Sequence, residues 1–128
     1  KDDPSLDVYG PLKGILSVHI QLAGENLLVL ACDMPSMKIE PLDYLVQLSL
    51  VRNEDAFAFQ NDAHVEPVCA IYTSRGLKKI YDQYNAGQLK KHNLHYVLES
   101  LDTFYVPVLP EWKRYFNNYN SPEDLSSL

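Results

Sequence analysis

Apolar residues recur at helical spacing in several stretches of this chain, and short apolar runs separate those stretches. In GPLKGILSVHIQLAG, Leu12, Ile15, Leu16, His19 and Ala23 share one helical face. Gly10 leads in, Pro11 takes the first helical position, where its missing N–H does no harm, and Gly24 reads as the stop. NLLVLAC is a continuous apolar run, which suits a strand buried on both faces in a parallel sheet covered by helices. EPLDYLVQLSLV predicts a second helix with Leu42, Leu45, Val46 and Ser49 on one face. DAFAFQ and EPVCAIYT predict strands, with Pro67 confined to the beginning of its strand or to an edge. SRGLKKIYDQYNAG predicts a helix with Leu77, Ile80, Tyr81 and Tyr84 inward and Gly87 at its end. QLKKHNLHYVLESL predicts another, burying Leu94, Val97, Leu98 and Leu101. TFYVPVL is a strand interrupted by Pro107, and RYFNNYN is short and extended. SPEDLSSL starts a last helix, with Ser121 as N-cap, Pro122 at the first position and Asp124 completing a capping box.

Helices and strands therefore alternate, which predicts a three-layer α/β sandwich forming a single domain over residues 1–128. No repeat, low-complexity segment or linker interrupts it. No strand precedes the first helix, and KDDPSLDVYGP opens as the middle of a loop without a methionine. The expectation is a fragment that lacks its N-terminal strands. The net charge of −6 argues against coating nucleic acid or an anionic membrane. No apolar run approaches the ~20 residues of a membrane span. Cys32 and Cys69 sit in apolar runs without a CxxC pattern and read as buried free thiols in a reducing, cytoplasmic setting.

The apolar run LLVLACDMP ends abruptly in Asp33. In open α/β sheets ligands bind beyond the carboxyl ends of the strands, where a carboxylate can hold Mg²⁺ and Mg²⁺ can hold nucleotide phosphates. Asp33 could equally cap the turn before the Pro41 helix. GPLKG is similarly open: Gly10 and Gly14 could let backbone approach an anion at a helix N-terminus, or could serve a tight turn. His19 reads as a core or boundary histidine, and His64, His92 and His95 make no zinc spacing on one face.

GPLKGIL, LLVLACDMP and FNNYNSPEDL, in that order, resemble the molybdenum cofactor guanylyltransferase family (molybdopterin-guanine dinucleotide biosynthesis protein A, MobA-like nucleotidyltransferases), in its C-terminal part. The resemblance spans nearly the whole chain and is weakest between about Asn53 and Lys113. It implies a Rossmann-like nucleotidyltransferase fold. It also implies Mg²⁺-dependent transfer of GMP from GTP to molybdopterin, giving the guanine dinucleotide cofactor and pyrophosphate. Asp33 matches the family's metal-binding aspartate. Gly10 and Gly14 match glycines of the nucleotide region, and Asp3 falls at an acid that contacts GTP. Asn118 and Asn120 match tail asparagines on the pterin side, where turn or cap chemistry before Ser121 is the alternative. Molybdoenzymes and cofactor-delivery proteins are the further partners implied.

The family's LAGG nucleotide loop, with its arginine and lysine, has no counterpart in the chain. The expectation is that the chain alone is inactive. Two rivals stay open: a related nucleotidyltransferase using CTP or a sugar phosphate, and a non-catalytic nucleotide-binding relative. A DQP-like segment is usual in related cytidylyltransferases, so CDMP favours guanine.

Overall fold

A computed structural model describes residues 10–30 and 36–116. Among them the order is α1 (Pro11–Gln21), β1 (Leu27–Leu30), α2 (Ile39–Val51), β2 (Ala56–Asn61), β3 (His64–Tyr72), α3 (Ser74–Asn85), α4 (Leu94–Ser100), β4 (Thr103–Pro107) and a 3-10 helix, η1 (Pro110–Phe116). The strands form one sheet in the order β1-β3-β2-β4. β3 runs antiparallel to both neighbours, while β2 and β4 are parallel, so β1, β2 and β4 all point the same way.

Strand alternation divides the core in two. Ala56, Ala58, Ala70 and Tyr72 pack toward α1, α3 and α4, whose buried residues include Leu12, Leu16, Leu77, Ile80, Val97 and Leu98. Phe57, Phe59, Cys69 and Ile71 point the other way, against Leu45 of α2 and Phe116 of η1. This is the three-layer sandwich that the alternation of elements predicts. Complete burial of Phe57 and Phe59 contributes about 1.5–3 kcal/mol each. No helix among the described residues is long and apolar enough to cross a membrane.

Four local expectations are corrected. β1 is not buried on both faces: Leu27 and Val29 pack on the core, whereas Leu28 and Leu30 are 43% and 42% exposed. It stands at one end of the described sheet and pairs antiparallel with β3. Pro67 lies in neither the start nor an edge of its sheet. It sits within the central β3, where the register shifts between Ala58 and Phe59. A bulge leaves it without a ladder bond to make, and its carbonyl accepts the hydroxyl of the fully buried Tyr72. α4 starts at Leu94 rather than near Gln88, because the Asn93 side chain caps it by accepting from the Tyr96 N–H at 2.8 Å. Arg114–Phe116 belongs to η1 and is not extended. The expected helix from Ser121 lies outside the described residues.

The other helices follow their signals. α1 has Gly10 as N-cap and Pro11 at its first position. Thr73 caps α3 by accepting from the Gly76 N–H at 3.1 Å. Gly87, at φ +71°, follows the end of α3.

Asp55, immediately before β2, was not signalled by any motif, and it is 1% exposed. Its carboxylate accepts from Arg75 Nε at 3.0 Å, Lys79 Nζ at 2.7 Å and the Asp102 N–H at 3.2 Å. Its carbonyl accepts from the Thr73 N–H at 3.0 Å and the Thr73 hydroxyl at 2.7 Å. Burial pushes this carboxyl upward, and the bonds from Lys79, Arg75 and Asp102 outweigh it, so its pKa lies below the ordinary value. The unfolded chain therefore binds the extra proton between the folded pKa and 3.8. Asp55 stabilisation is present above 3.8 and is lost as pH falls through the folded value. Asp55→Asn should lower stability by about 1.5–3 kcal/mol in urea denaturation at neutral pH. The gap between variant and parent should close in strong acid; a gap independent of pH would show that the charge is not what matters.

Candidate functional site

The carboxyl ends of β1, β2 and β4 gather at one end of the sheet. α1 begins at that same end. The short connection 22–26 turns the chain back from α1 into β1, and a groove of about 460 Å³ runs between them, lined by Pro11, Gly14, Ile15 and Val18 on the helix and by Leu27–Leu30. The start of α1 therefore lies where β1 finishes, in the region where open α/β sheets place their ligands.

Gly10 makes this helix start possible. Its φ of +68° and ψ of −157° fall in a region that essentially only glycine occupies. No side chain caps the helix, and Pro11 brings no N–H of its own. The Gly10 carbonyl accepts the Lys13 N–H at 3.1 Å. A helix start of this kind offers positive partial charge and bare backbone to an anion. Gly14, one turn on, keeps the wall beside β1 low.

The structure thus brings Gly10 and Gly14 to the strand end from which the chain runs on toward Asp33. Asp33 itself, Asp3, Asn118 and Asn120 lie outside the described residues. Among the described residues no group of three or more His, Cys, Asp or Glu is placed to hold a metal ion. They do not by themselves make a Mg²⁺ site.

A pair that sequence reasoning missed also lies at this end. Lys113 Nζ sits 2.7 Å from the Asp62 carboxylate and 3.3 Å from Asn61 Oδ1, beyond the end of β2. Asp62 has a φ of +56°, in the hairpin turn. Nothing in the spacing of these residues, 51 apart, announces the contact. The remaining candidates are inert: Cys69 is a buried free thiol whose pKa burial, aided by the Glu66 charge, pushes up to about 12.

Residues 2–103 match the MobA-like NTP transferase domain. The chain belongs to this family. It is 33% identical over 124 residues to a molybdenum cofactor guanylyltransferase of Syntrophotalea carbinolica, covering 90% of the chain and 56% of that protein. It is 29% identical over 125 residues to the molybdenum cofactor guanylyltransferase of Pseudomonas fluorescens, covering 98% and 60%. The crystal structure of molybdopterin-guanine dinucleotide biosynthesis protein A from Archaeoglobus fulgidus superimposes with a TM-score of 0.74 at 26% identity, covering 94% of the chain and 61% of that one. The chain spans about three fifths of the length of the curated relatives it matches.

Within this family fold, the Gly10 backbone carries a specific expectation. A Cβ at position 10 would meet nothing within 4 Å, so substitution there tests backbone conformation alone. Gly10→Ala should cost about 1–3 kcal/mol of stability by thermal or urea unfolding. An unchanged midpoint would mean that the helix start tolerates another backbone geometry.

Proposed function

We propose that the chain is the part of a molybdenum cofactor guanylyltransferase that carries the start of α1 and the CDMP segment, in a protein that transfers GMP from GTP to molybdopterin. The pterin phosphate oxygen attacks the α-phosphorus of GTP, the bond to the β-phosphate oxygen breaks, and pyrophosphate leaves. Such chemistry needs alignment and charge neutralisation more than a protein nucleophile. The observation that carries the reading is the juxtaposition of the Gly10 helix start with the end of β1. It joins the GPLKG and CDMP motifs at one end of the sheet, in a family member similar to named guanylyltransferases.

In this reading the bare N-terminal turn of α1 accepts a phosphate, and Gly10 and Gly14 let the nucleotide approach without meeting side chains. Asp3 belongs to the same nucleotide contact. Asp33 would hold Mg²⁺, which would spread the charge of the phosphates. Asn118 and Asn120 would contact the pterin. The buried, unreactive Cys69 is consistent with a reducing cytoplasmic setting.

Asp33→Asn in the full-length protein should fold normally and lose at least ~10²-fold in guanylyl transfer. The assay should be run with GTP and CTP against molybdopterin, with Mg²⁺ titrated, and the 128-residue chain alone should show no turnover. Near-normal Mg²⁺-dependent turnover by the variant would remove Asp33 from the metal role. Preference for CTP would move the protein to the cytidylyl branch.

Asn118→Ala and Asn120→Ala should each weaken molybdopterin binding by ~1.5–3 kcal/mol while leaving GTP affinity nearly unchanged, as read by calorimetry with each ligand. An equal loss for both ligands, or a melted protein, would assign these asparagines to capping.

A further inference from the structure

A second cavity lies at the opposite end of the sheet from Gly10. It is a groove of about 540 Å³ between the C-terminal part of α1 and the first turns of α3, within the size range of small-molecule sites. Ile20, Ala23 and the Tyr81 ring supply an apolar lining, with Ser74, Lys78 and Asp82 among its polar groups. His19 also lines it, with its ring edge-on to Tyr81 at 6.2 Å.

Two independent features point to an occupant. The first is charge. The chain carries a net −6, yet here Arg75 and Lys79 share the one Asp55 carboxylate, and Lys78 pairs with Asp82 at 2.9 Å. One positive charge is left over at the N-terminus of a 12-residue helix, whose dipole has the same sign. The second is His19. It is 6% exposed, and its Nδ1 is buried with no hydrogen-bond partner among the described residues. Burial lowers its pKa and outweighs the pull of Asp82, while Lys78 lowers it further, so at neutral pH the ring is an uncharged polar group. Buried polar atoms without partners are rare and costly.

We propose that this groove binds a small anion with a planar aromatic body, of the size of a nucleoside monophosphate. The ring would lie against Ile20, Ala23 and Tyr81, and the anionic group would sit at Lys78 and the start of α3. A polar edge of the ligand, or a water carried with it, would serve His19. This site is separate from the strand end assigned to transfer and does not depend on that assignment.

The test is NMR titration of the chain with AMP, following the His19 and Tyr81 ring resonances. AMP is chosen because it is not the nucleotide proposed for transfer. Saturable shifts at both rings with a Kd near or below about 1 mM would support the site. Lys78→Glu, at a side chain 71% exposed and so safe for folding, should weaken binding about fivefold or more, the scale of one exposed charge pair. Ala23→Trp, which fills the groove, should abolish it. Adenosine or inorganic phosphate alone should each bind more weakly than AMP. Absence of shifts at His19 and Tyr81, binding unchanged in both variants, or phosphate binding as tightly as AMP would overturn the proposal.

Discussion

Asp55 joins three parts of the chain that are far apart in sequence. Its own N–H donates to the Asp102 carbonyl at 2.7 Å while its carboxylate takes the Asp102 N–H in return. This clamps the start of β2 to the start of β4. Its carbonyl and carboxylate together hold Thr73, Arg75 and Lys79, which fixes how α3 leaves β3. Gly76 shows how tight the junction is: a Cβ there would stand 2.6 Å from the Asp55 carbonyl oxygen. A buried carboxylate is a poor source of stability unless every lone pair is used, and here both oxygens and the main chain are engaged. Removing it would leave the Asp102 N–H unserved and unfasten three element starts together.

With the amino ends fixed in this way, the sheet can use its two faces differently. β2 presents Ala56 and Ala58 to one side, so α4 and its neighbours can approach closely. It presents Phe57 and Phe59 to the other, where α2 and η1 lie over large rings. Phe59 meets Trp112 and Phe116 edge-on at 6.2 and 5.0 Å, which anchors η1 across the sheet. That anchoring brings Lys113 beyond the end of β2, where it reaches Asp62.

Much of this was legible because the relevant signals are local. Pro11 after Gly10 fixes a helix start through backbone geometry alone, and the Leu77, Ile80, Tyr81, Tyr84 spacing defines one face of α3. What failed was whatever depended on neighbours distant in sequence. A run such as LLVL has the same composition whether a strand is covered on two faces or on one, and only the β1–β3 pairing and the sheet order separate them. Pro67 in a central strand requires a bulge whose partner is eight residues upstream, at Phe59. Asp55 reads as an ordinary acid before an apolar run until Thr73, Arg75 and Asp102 arrive beside it. For the site, GPLKG and CDMP were visible as motifs. Their convergence is carried on the described side by Gly10, Gly14 and the end of β1.

The position of that strand end is itself a matter of register. Leu27 pairs with Tyr72 and Leu30 with Cys69, which turns Leu27 and Val29 toward the helices. A slip of one residue would turn Leu28 and Leu30 inward instead and move the end of β1 by about 3.3 Å relative to the start of α1. Tyr72 resists such a slip: it is fully buried, its hydroxyl is tied to Pro67, and the next residue, Thr73, is tied to Asp55. The polar junction at one end of the sheet therefore sets the register of β3, β3 sets that of β1, and β1 sets where the chain emerges beside Gly10. A chain that does its chemistry with backbone glycines and a strand-end acid depends on this remote alignment, because glycines bring no side chains that could adjust for an error.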